Sequence, residues 1–305
     1  MRHYFLKYFP TTHYLSPKSL SQSLHDNVQA GTLRFYNYLE KAQSPFQETL
    51  REWGFAVRKL VILGFILSLT SCQQNKNHQL TIAAASNMQF AIAALTTAFT
   101  QETGIACQTV ISSSGKLTAQ IKENAPYDIL VSANMKYPND LFSSGYSKKK
   151  PKVYAYGKLV LWSMIDDMQP SIKVLLSDSI KHIAIANPKT APYGAAAIEV
   201  LKYQNIYEDV KHKLVYGESI SQTNQFIISK SATIGFTSQS AVLSPKLKGK
   251  GKWITLDDSS YTPISQGVVL IKPKGTESKE AQQFYNFLFS MKAKDILKTY
   301  GYMVK

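Results

Sequence analysis

From residue 80 onward the chain repeats one pattern: a short apolar run, a turn of small or hydroxyl residues, then an apolar-periodic stretch of helical length. Strands that alternate with helices in this way assemble into α/β layers built on a parallel sheet, not into a sandwich. Residues 80–85 read as a first strand. Ser86-Asn87 follows, then a helix over 88–102 with Phe90, Ile92, Leu95 and Phe99 on one period, ended by Gly104. Residues 105–112 read as a strand, 116–124 as a short helix and 128–133 as a third strand. A Lys- and Pro-rich break at 148–152 separates this unit from a second.

The second unit starts with a strand at 159–163 and a helix near 171–177. A strand at 182–186, a loop at 188–194 and a helix at 195–204 come next. A strand at 214–216, a turn at 217–221 and a helix at 222–230 follow, then strands at 233–237 and 265–271. The final helical region, 277–300, breaks near Ser290. The lone Cys107 falls in the second strand and reads as a small core residue.

Five turns after strands carry small or hydroxyl residues: Ser86-Asn87, Ser113-Ser114-Gly115, Ala191-Pro192-Tyr193-Gly194, Ser219-Ile220-Ser221 and Thr237-Ser238-Gln239-Ser240. Any one of them reads as a helix cap. Together they suggest more, because ligands of open α/β sheets sit beyond the carboxyl ends of the strands. Helix N-termini there present free N–H groups and the positive end of the helix dipole. Several such turns around one cleft form a neutral, electropositive cage suited to an oxyanion.

Enzyme signatures are missing. The sequence has no GxSxG elbow and no P-loop lysine motif. No His lies in any of the five turns to serve as a base, and Asp166-Asp167 and Asp257-Asp258 read as solvated turn residues. The six His and two Cys residues show no metal spacing. The chain is therefore read as a binding protein, not an enzyme, with no cofactor.

The net charge of +15 raises the question of nucleic acid. From Cys72 onward there are 27 basic and 16 acidic residues, a net of +11, and every basic one is Lys. Reading bases or phosphates leans on the planar fork of Arg, so a lysine-coated surface without Arg excludes specific nucleic-acid recognition.

Arg58-Lys59 precedes a ten-residue apolar run, 60–69, and then Thr70-Ser71-Cys72. The run is too short to span a bilayer and reads as an export signal over 57–71. The ending Leu69-Thr70-Ser71-Cys72 looks like a lipobox, in which the Cys carries lipid. The polar residues after it, within 72–79, read as a tether. Val57 as a GTG start would give an ordinary signal sequence, so residues 1–56 are expected to be a misassigned upstream extension. The product is then exported and lipid-anchored on the outer side of a membrane.

The residues themselves resemble a known family. Leu-Thr-Ile-Ala-Ala-Ala-Ser86-Asn, Ser-Ser-Ser114-Gly-Lys-Leu-Thr-Ala-Gln-Ile and Ala-Pro-Tyr-Asp128-Ile-Leu-Val-Ser-Ala133 look like the molybdate-binding proteins of ABC importers. Asn187-Pro-Lys-Thr-Ala-Pro-Tyr193-Gly, Ile234-Gly-Phe-Thr-Ser238 and the terminal Tyr300-Gly-Tyr continue the match in order. The resemblance covers about residues 80–305. It implies the two-lobed α/β periplasmic binding protein type II fold, with the ligand in the inter-lobe cleft. Lobe one would span 78–155 and 268–305, and lobe two 156–267.

By the same resemblance, Ser86 and Ser114 offer hydroxyls to the anion, while Tyr193 and Ile220 act through backbone N–H groups. Ser238 stands where many members place a Tyr whose phenol donates. The implied ligand is molybdate or tungstate, and the implied partner is an ABC permease, served by a monomer. The alternatives are a sulfate or other oxyanion binder, and a surface lipoprotein that keeps the fold without transport.

Overall fold

The computed structural model describes residues 79–272 and 278–304, together with Gly31, Thr32 and Arg34. The expected upstream extension, signal segment, lipid-bearing Cys72 and most of the tether lie outside the residues considered below. Among the described residues, no helix is long and apolar enough to cross a membrane.

The unit Lys76–Lys305 carries two five-stranded sheets, one per lobe. The first lobe opens with β1 (Leu80–Ala85), buried throughout except for Thr81. A strand covered on both faces needs such a continuous apolar run. Ser86 ends it and begins a 3-10 turn, Ser86–Met88. Helix α1 (Gln89–Thr103) follows and stops at Gly104, whose φ of 71° lets its N–H return to the Thr100 carbonyl at 2.8 Å. β2 (Cys107–Ser112), α2 (Ser114–Lys122), β3 (Ile129–Ser132), α3 (Lys136–Ser143) and β4 (Lys152–Gly157) complete this stretch.

Lys158 alone links β4 to β5 (Leu159–Ser163), the first strand of lobe two. That lobe continues through β6 (Ile183–Ala186), α4 (Pro192–Tyr203), α5 (Tyr207–Val210), β7 (Leu214–Gly217), α6 (Ile220–Ile228), β8 (Ile234–Ser238), α7 (Gln239–Val242) and β9 (Lys252–Thr255). The chain returns to lobe one as β10 (Ile264–Leu270), followed by α8 (Lys279–Phe287) and α9 (Met291–Thr299). Ser290, the expected break, is the N-cap of α9, its hydroxyl accepting from the Ala293 N–H.

The sheet orders are β2-β1-β3-β10-β4 and β7-β6-β8-β5-β9. Both are mixed, which corrects the expectation of a parallel sheet. β10 runs antiparallel to β3 and β4, and β5 antiparallel to β8 and β9. These are the strands next to the crossings, where the chain reverses direction between lobes. The crossings also move the expected lobe limits: β4 belongs to lobe one through Gly157, and β10 from Ile264.

The expected helix near 171–177 is only a 3-10 turn, Lys173–Leu176. Leu175 alone of its residues is buried, too little apolar area to hold a longer helix. Its end is fixed instead by the buried Lys213 ammonium, which donates to the carbonyls of Leu175, Leu176 and Ser177 at 3.2, 3.4 and 2.9 Å.

Each lobe has its own core. In lobe one, Ile82, Leu95, Phe99, Phe284 and Leu297 pack together, with Phe99 and Phe284 edge to face at 5.2 Å between centroids. In lobe two, Leu161, Ile183, Ile185, Ala197 and Ile234 do so. Burial of each large apolar side chain stabilises by roughly 1.5–3 kcal/mol. The registers matter most for the site. Ala85 pairs with Ser112 in lobe one and Ala186 with Gly217 in lobe two. Parallel neighbours thus end level, and the turns after them emerge together.

Candidate functional site

Those turns meet around one small cavity of about 10 Å³. Lobe one lines it with Ala85, Ser86, Asn87, Ser113, Ser114 and Ala133, and lobe two with Ala191, Pro192, Tyr193 and Ile220. None of these side chains carries a charge at neutral pH. Ser114 and Ile220 open α2 and α6, Pro192 and Tyr193 open α4, and Ser86 opens a 3-10 turn. First-turn N–H groups have no intrahelical carbonyl to bind, so helical N-termini from both lobes bring donors to one space, two of which, the Gly115 and Ile220 N–H groups, bond across the cleft.

The caps fall one residue away from the expected site residues. Ser113, not Ser114, caps α2, accepting from Lys116 N at 3.4 Å. Ser219 caps α6, accepting from Gln222 N at 3.5 Å. The hydroxyl of Ser114 is left for another task. It accepts from the Ala133 N–H at 3.0 Å, and the hydroxyl of Ser86 accepts from the Ile220 N–H at 3.0 Å. A hydroxyl has one proton to give. Among the described residues, neither serine donates its own to the protein, so both O–H groups are polarised by an N–H behind them and free to donate into the cavity.

The lobes are closed on each other around this space. Besides Ile220 to Ser86, the Gly115 N–H donates to the Thr190 carbonyl at 2.9 Å. Ser221 Oγ donates to Gln89 Oε1 at 2.7 Å, and the Tyr137 phenol to the Lys189 carbonyl at 3.1 Å. Lys116 and Glu218 form an ion pair at 2.5 Å, half-exposed on both sides, where such pairs stabilise little.

Ser86, Ser114, Tyr193 and Ile220 are thus brought together. Ser238 is not among the lining residues. Its hydroxyl lies 2.9 Å from Ser240 Oγ, and both are buried behind the cavity. The Thr237 hydroxyl is engaged with Asn224 inside lobe two. Asn87 lines the cavity and had been read only as part of a turn. Its carboxamide is occupied, donating to Gln266 Oε1 at 2.8 Å and to the Tyr302 phenol at 2.9 Å, which leaves its backbone as the part able to face a ligand. Its place directly after Ser86 was the available signal.

The Tyr193 side chain runs away from its backbone toward the hinge. Its phenol is fully buried, has no hydrogen-bond partner among the described residues and lies so close to Gly157 that a Cβ there would overlap it. Burial, and then the nearby Tyr302, Tyr154 and Tyr261, hold this phenol well above the usual tyrosine range. It therefore stays neutral at any working pH. Among the described residues, no cluster of three or more His, Cys, Asp or Glu could hold a metal ion.

The fold has counterparts among known proteins. Residues 80–303 match the family model described as bacterial extracellular solute-binding protein. The molybdate-binding protein ModA of Rhodobacter capsulatus is 33% identical over 261 residues, covering 85% of this chain and 99% of the relative. That of Azotobacter vinelandii is 35% identical over 256 residues, covering 82% and 98%. The solved Azotobacter vinelandii periplasmic molybdate-binding protein superposes with a TM-score of 0.70 at 31% identity, over 74% of this chain and 99% of its own. With two lobes closed on a neutral cavity and these likenesses spanning both, the chain belongs to the bacterial extracellular solute-binding proteins, among their ModA-like members.

Proposed function

We propose that this protein captures molybdate, and tungstate equally, on the outer side of a membrane and hands it to the permease of an ABC importer. One observation supports the reading: two serine hydroxyls, each accepting from a backbone N–H and with no acceptor for their own protons among the described residues, line a cavity that has no charged side chain. Such a cage suits a fully ionised dianion. An anion that keeps a proton needs an acceptor, and a cage of donors offers it none. The ModA relatives support molybdate as the dianion.

Ser86, Ser114, Tyr193 and Ile220 form the binding set: the two serines act through their hydroxyls, Tyr193 through its first-turn N–H, and Ile220 through the N–H that it gives to the Ser86 hydroxyl; Asn87 adds its backbone N–H. Ser238 acts from behind the cavity, not on the anion. The protein works as a monomer without cofactor or catalysis, tethered by lipid on Cys72. Titration calorimetry with molybdate, tungstate, sulfate and phosphate tests the ligand. Molybdate and tungstate are expected to bind with similar affinity and phosphate poorly; sulfate binding tighter than molybdate would overturn the assignment.

A further inference from the structure

Two crossings join the lobes covalently, at Lys158 and between Thr255 and Ile264. The C-terminal segment, residues 300–303, touches both lobes at the same hinge. Met303 and Tyr156, next to Gly157, exchange backbone hydrogen bonds at 2.9 and 2.7 Å, which fixes the segment to lobe one. Gly301, with φ of 77°, lies against α7 of lobe two, where a Cβ would come within 2.7 Å of Leu243 Cδ1 and 3.0 Å of Gln239 Cδ. A side chain here would be strained by the positive φ and would push Leu243 and Gln239 aside.

Between these two contacts sits Tyr302, buried, with its phenol at the centre of a polar ring. Asn87 Nδ2 donates to the phenol at 2.9 Å. The phenol lies 3.0 Å from Ser240 Oγ in lobe two, and Ser240 Oγ donates to the Asn87 carbonyl at 2.7 Å. The phenol oxygen also lies 3.0 Å from the Asn87 carbonyl, so its proton has two acceptors, one in each lobe, and the ring closes as carboxamide to phenol, phenol to serine or carbonyl, and serine to carbonyl. It begins and ends on Asn87, a residue that lines the anion cavity. Chains of hydrogen bonds polarise one another, and such rings are worth most when every member is satisfied.

We infer that the C-terminal segment is a strap that sets the closed state, and that Tyr302 is a positioning residue for the anion site. The inference rests on the anion-binding reading above. In the closed form the phenol ties lobe-two Ser240 to lobe-one Asn87, and so orients the turn that carries Ser86 and the Asn87 backbone. When the lobes part, the two Ser240 contacts are the ones that must break, so these contribute to closure, while the Asn87–Tyr302 bonds stay within lobe one.

Tyr302→Phe in the full chain tests this. The ring packing and the Met303 bridge stay, and only the hydroxyl is lost. The variant is expected to melt close to the parent, yet to bind molybdate about tenfold more weakly with the loss in the release rate. Small-angle scattering of the ligand-free protein should show a larger radius of gyration than the parent. Ser240→Ala, which cuts the same ring from lobe two, should act alike, and the double variant should add little to either single one. Unchanged affinity and unchanged scattering in both single variants would overturn the strap. If the parent itself takes up no molybdate, the ligand assignment fails, while the ligand-free scattering still decides the strap.

Discussion

The backbone N–H of Ile220 donates to the hydroxyl of Ser86 across the cleft at 3.0 Å, so the lobes touch through the same groups that face the anion cavity. Closure and ligand recognition therefore share atoms. A ligand that accepts from Ser86 strengthens the contact behind it, because a hydroxyl that donates becomes a better acceptor.

The two serines should be sensitive and Ile220 silent. Ser86→Ala and Ser114→Ala each remove a hydrogen bond to a charged ligand, worth roughly 1.5–3 kcal/mol, or about ten- to a hundredfold in affinity. Ser114→Ala also leaves the buried Ala133 N–H unpaired, with a stability loss of about 1–3 kcal/mol. Ile220→Val keeps the N–H and should change the affinity by less than about threefold, costing about 0.5–1.5 kcal/mol of stability. Calorimetry on the three variants checks the pattern. Serine variants that bind as tightly as the parent would remove these hydroxyls from the site.

Gly157→Ala is expected to hold the lobes apart. The added methyl overlaps the Tyr193 phenol oxygen and sits 2.9 Å from Gln266 Nε2, and overpacking of this kind costs about 1–3 kcal/mol. Weaker molybdate binding should accompany a lower melting temperature. Adding Tyr193→Phe removes the worst overlap and should restore part of both. If the double variant were as impaired as the single, the phenol would not be the obstacle.

Stability should fall in alkali. Burial first, then neighbouring phenols, push Tyr154 and Tyr193 well above the ordinary tyrosine range, and burial pushes Tyr261 up to about 12. In the unfolded chain these groups ionise near about pH 10. The folded state holds its protons longer, so their stabilisation is full below about pH 10 and is lost as pH rises through the folded values. Urea midpoints at about pH 8, 10 and 11 measure this; a midpoint that does not drop above about pH 10 would contradict it.

Cys72→Ala should free the protein from the membrane fraction or leave the export signal uncleaved. Stable attachment takes more than one acyl chain, and a lipobox Cys is the expected carrier. Fractionation of cells with immunodetection gives the answer. A variant that is processed normally and stays with membranes would refute the anchor.

Much of this fold was legible because several inner strands, β1, β3, β5 and β8 among them, are short apolar runs closed by a serine. Leu80–Ala85 and Leu159–Ser163 have the expected limits. What escaped lies at edges and crossings. β4 and β9, at the ends of their sheets, begin with Lys and carry half-exposed side chains, so neither shows a clean period. β10 pairs antiparallel because of where the chain re-enters lobe one, a long-range fact no local pattern encodes. At the site, small residues after strands marked the turns, but the sequence could not tell cap from ligand donor. Ser113 and Ser114 are adjacent and chemically identical, and only the Ala133 N–H, brought near by β3, separates their roles. Ser238 was placed by its likeness to a ligand position, and Ser240 draws its hydroxyl away.

The insertion of one lobe within the other bears on how the chain matures. Every strand of the second sheet lies within residues 159–255, so that lobe is complete once Thr255 has emerged from the ribosome or the export channel. The host lobe is then still missing β10, which must slot between β3 and β4, and the helices and strap that follow it. Domains made N-terminus first fold as units when all their parts are present, so the inserted lobe finishes before the lobe that began first. Until Ile264–Leu270 arrives, β3 and β4 each offer an open edge. That delay is the interval in which the nascent chain is most exposed to mispairing, and the arrival of β10 ends it.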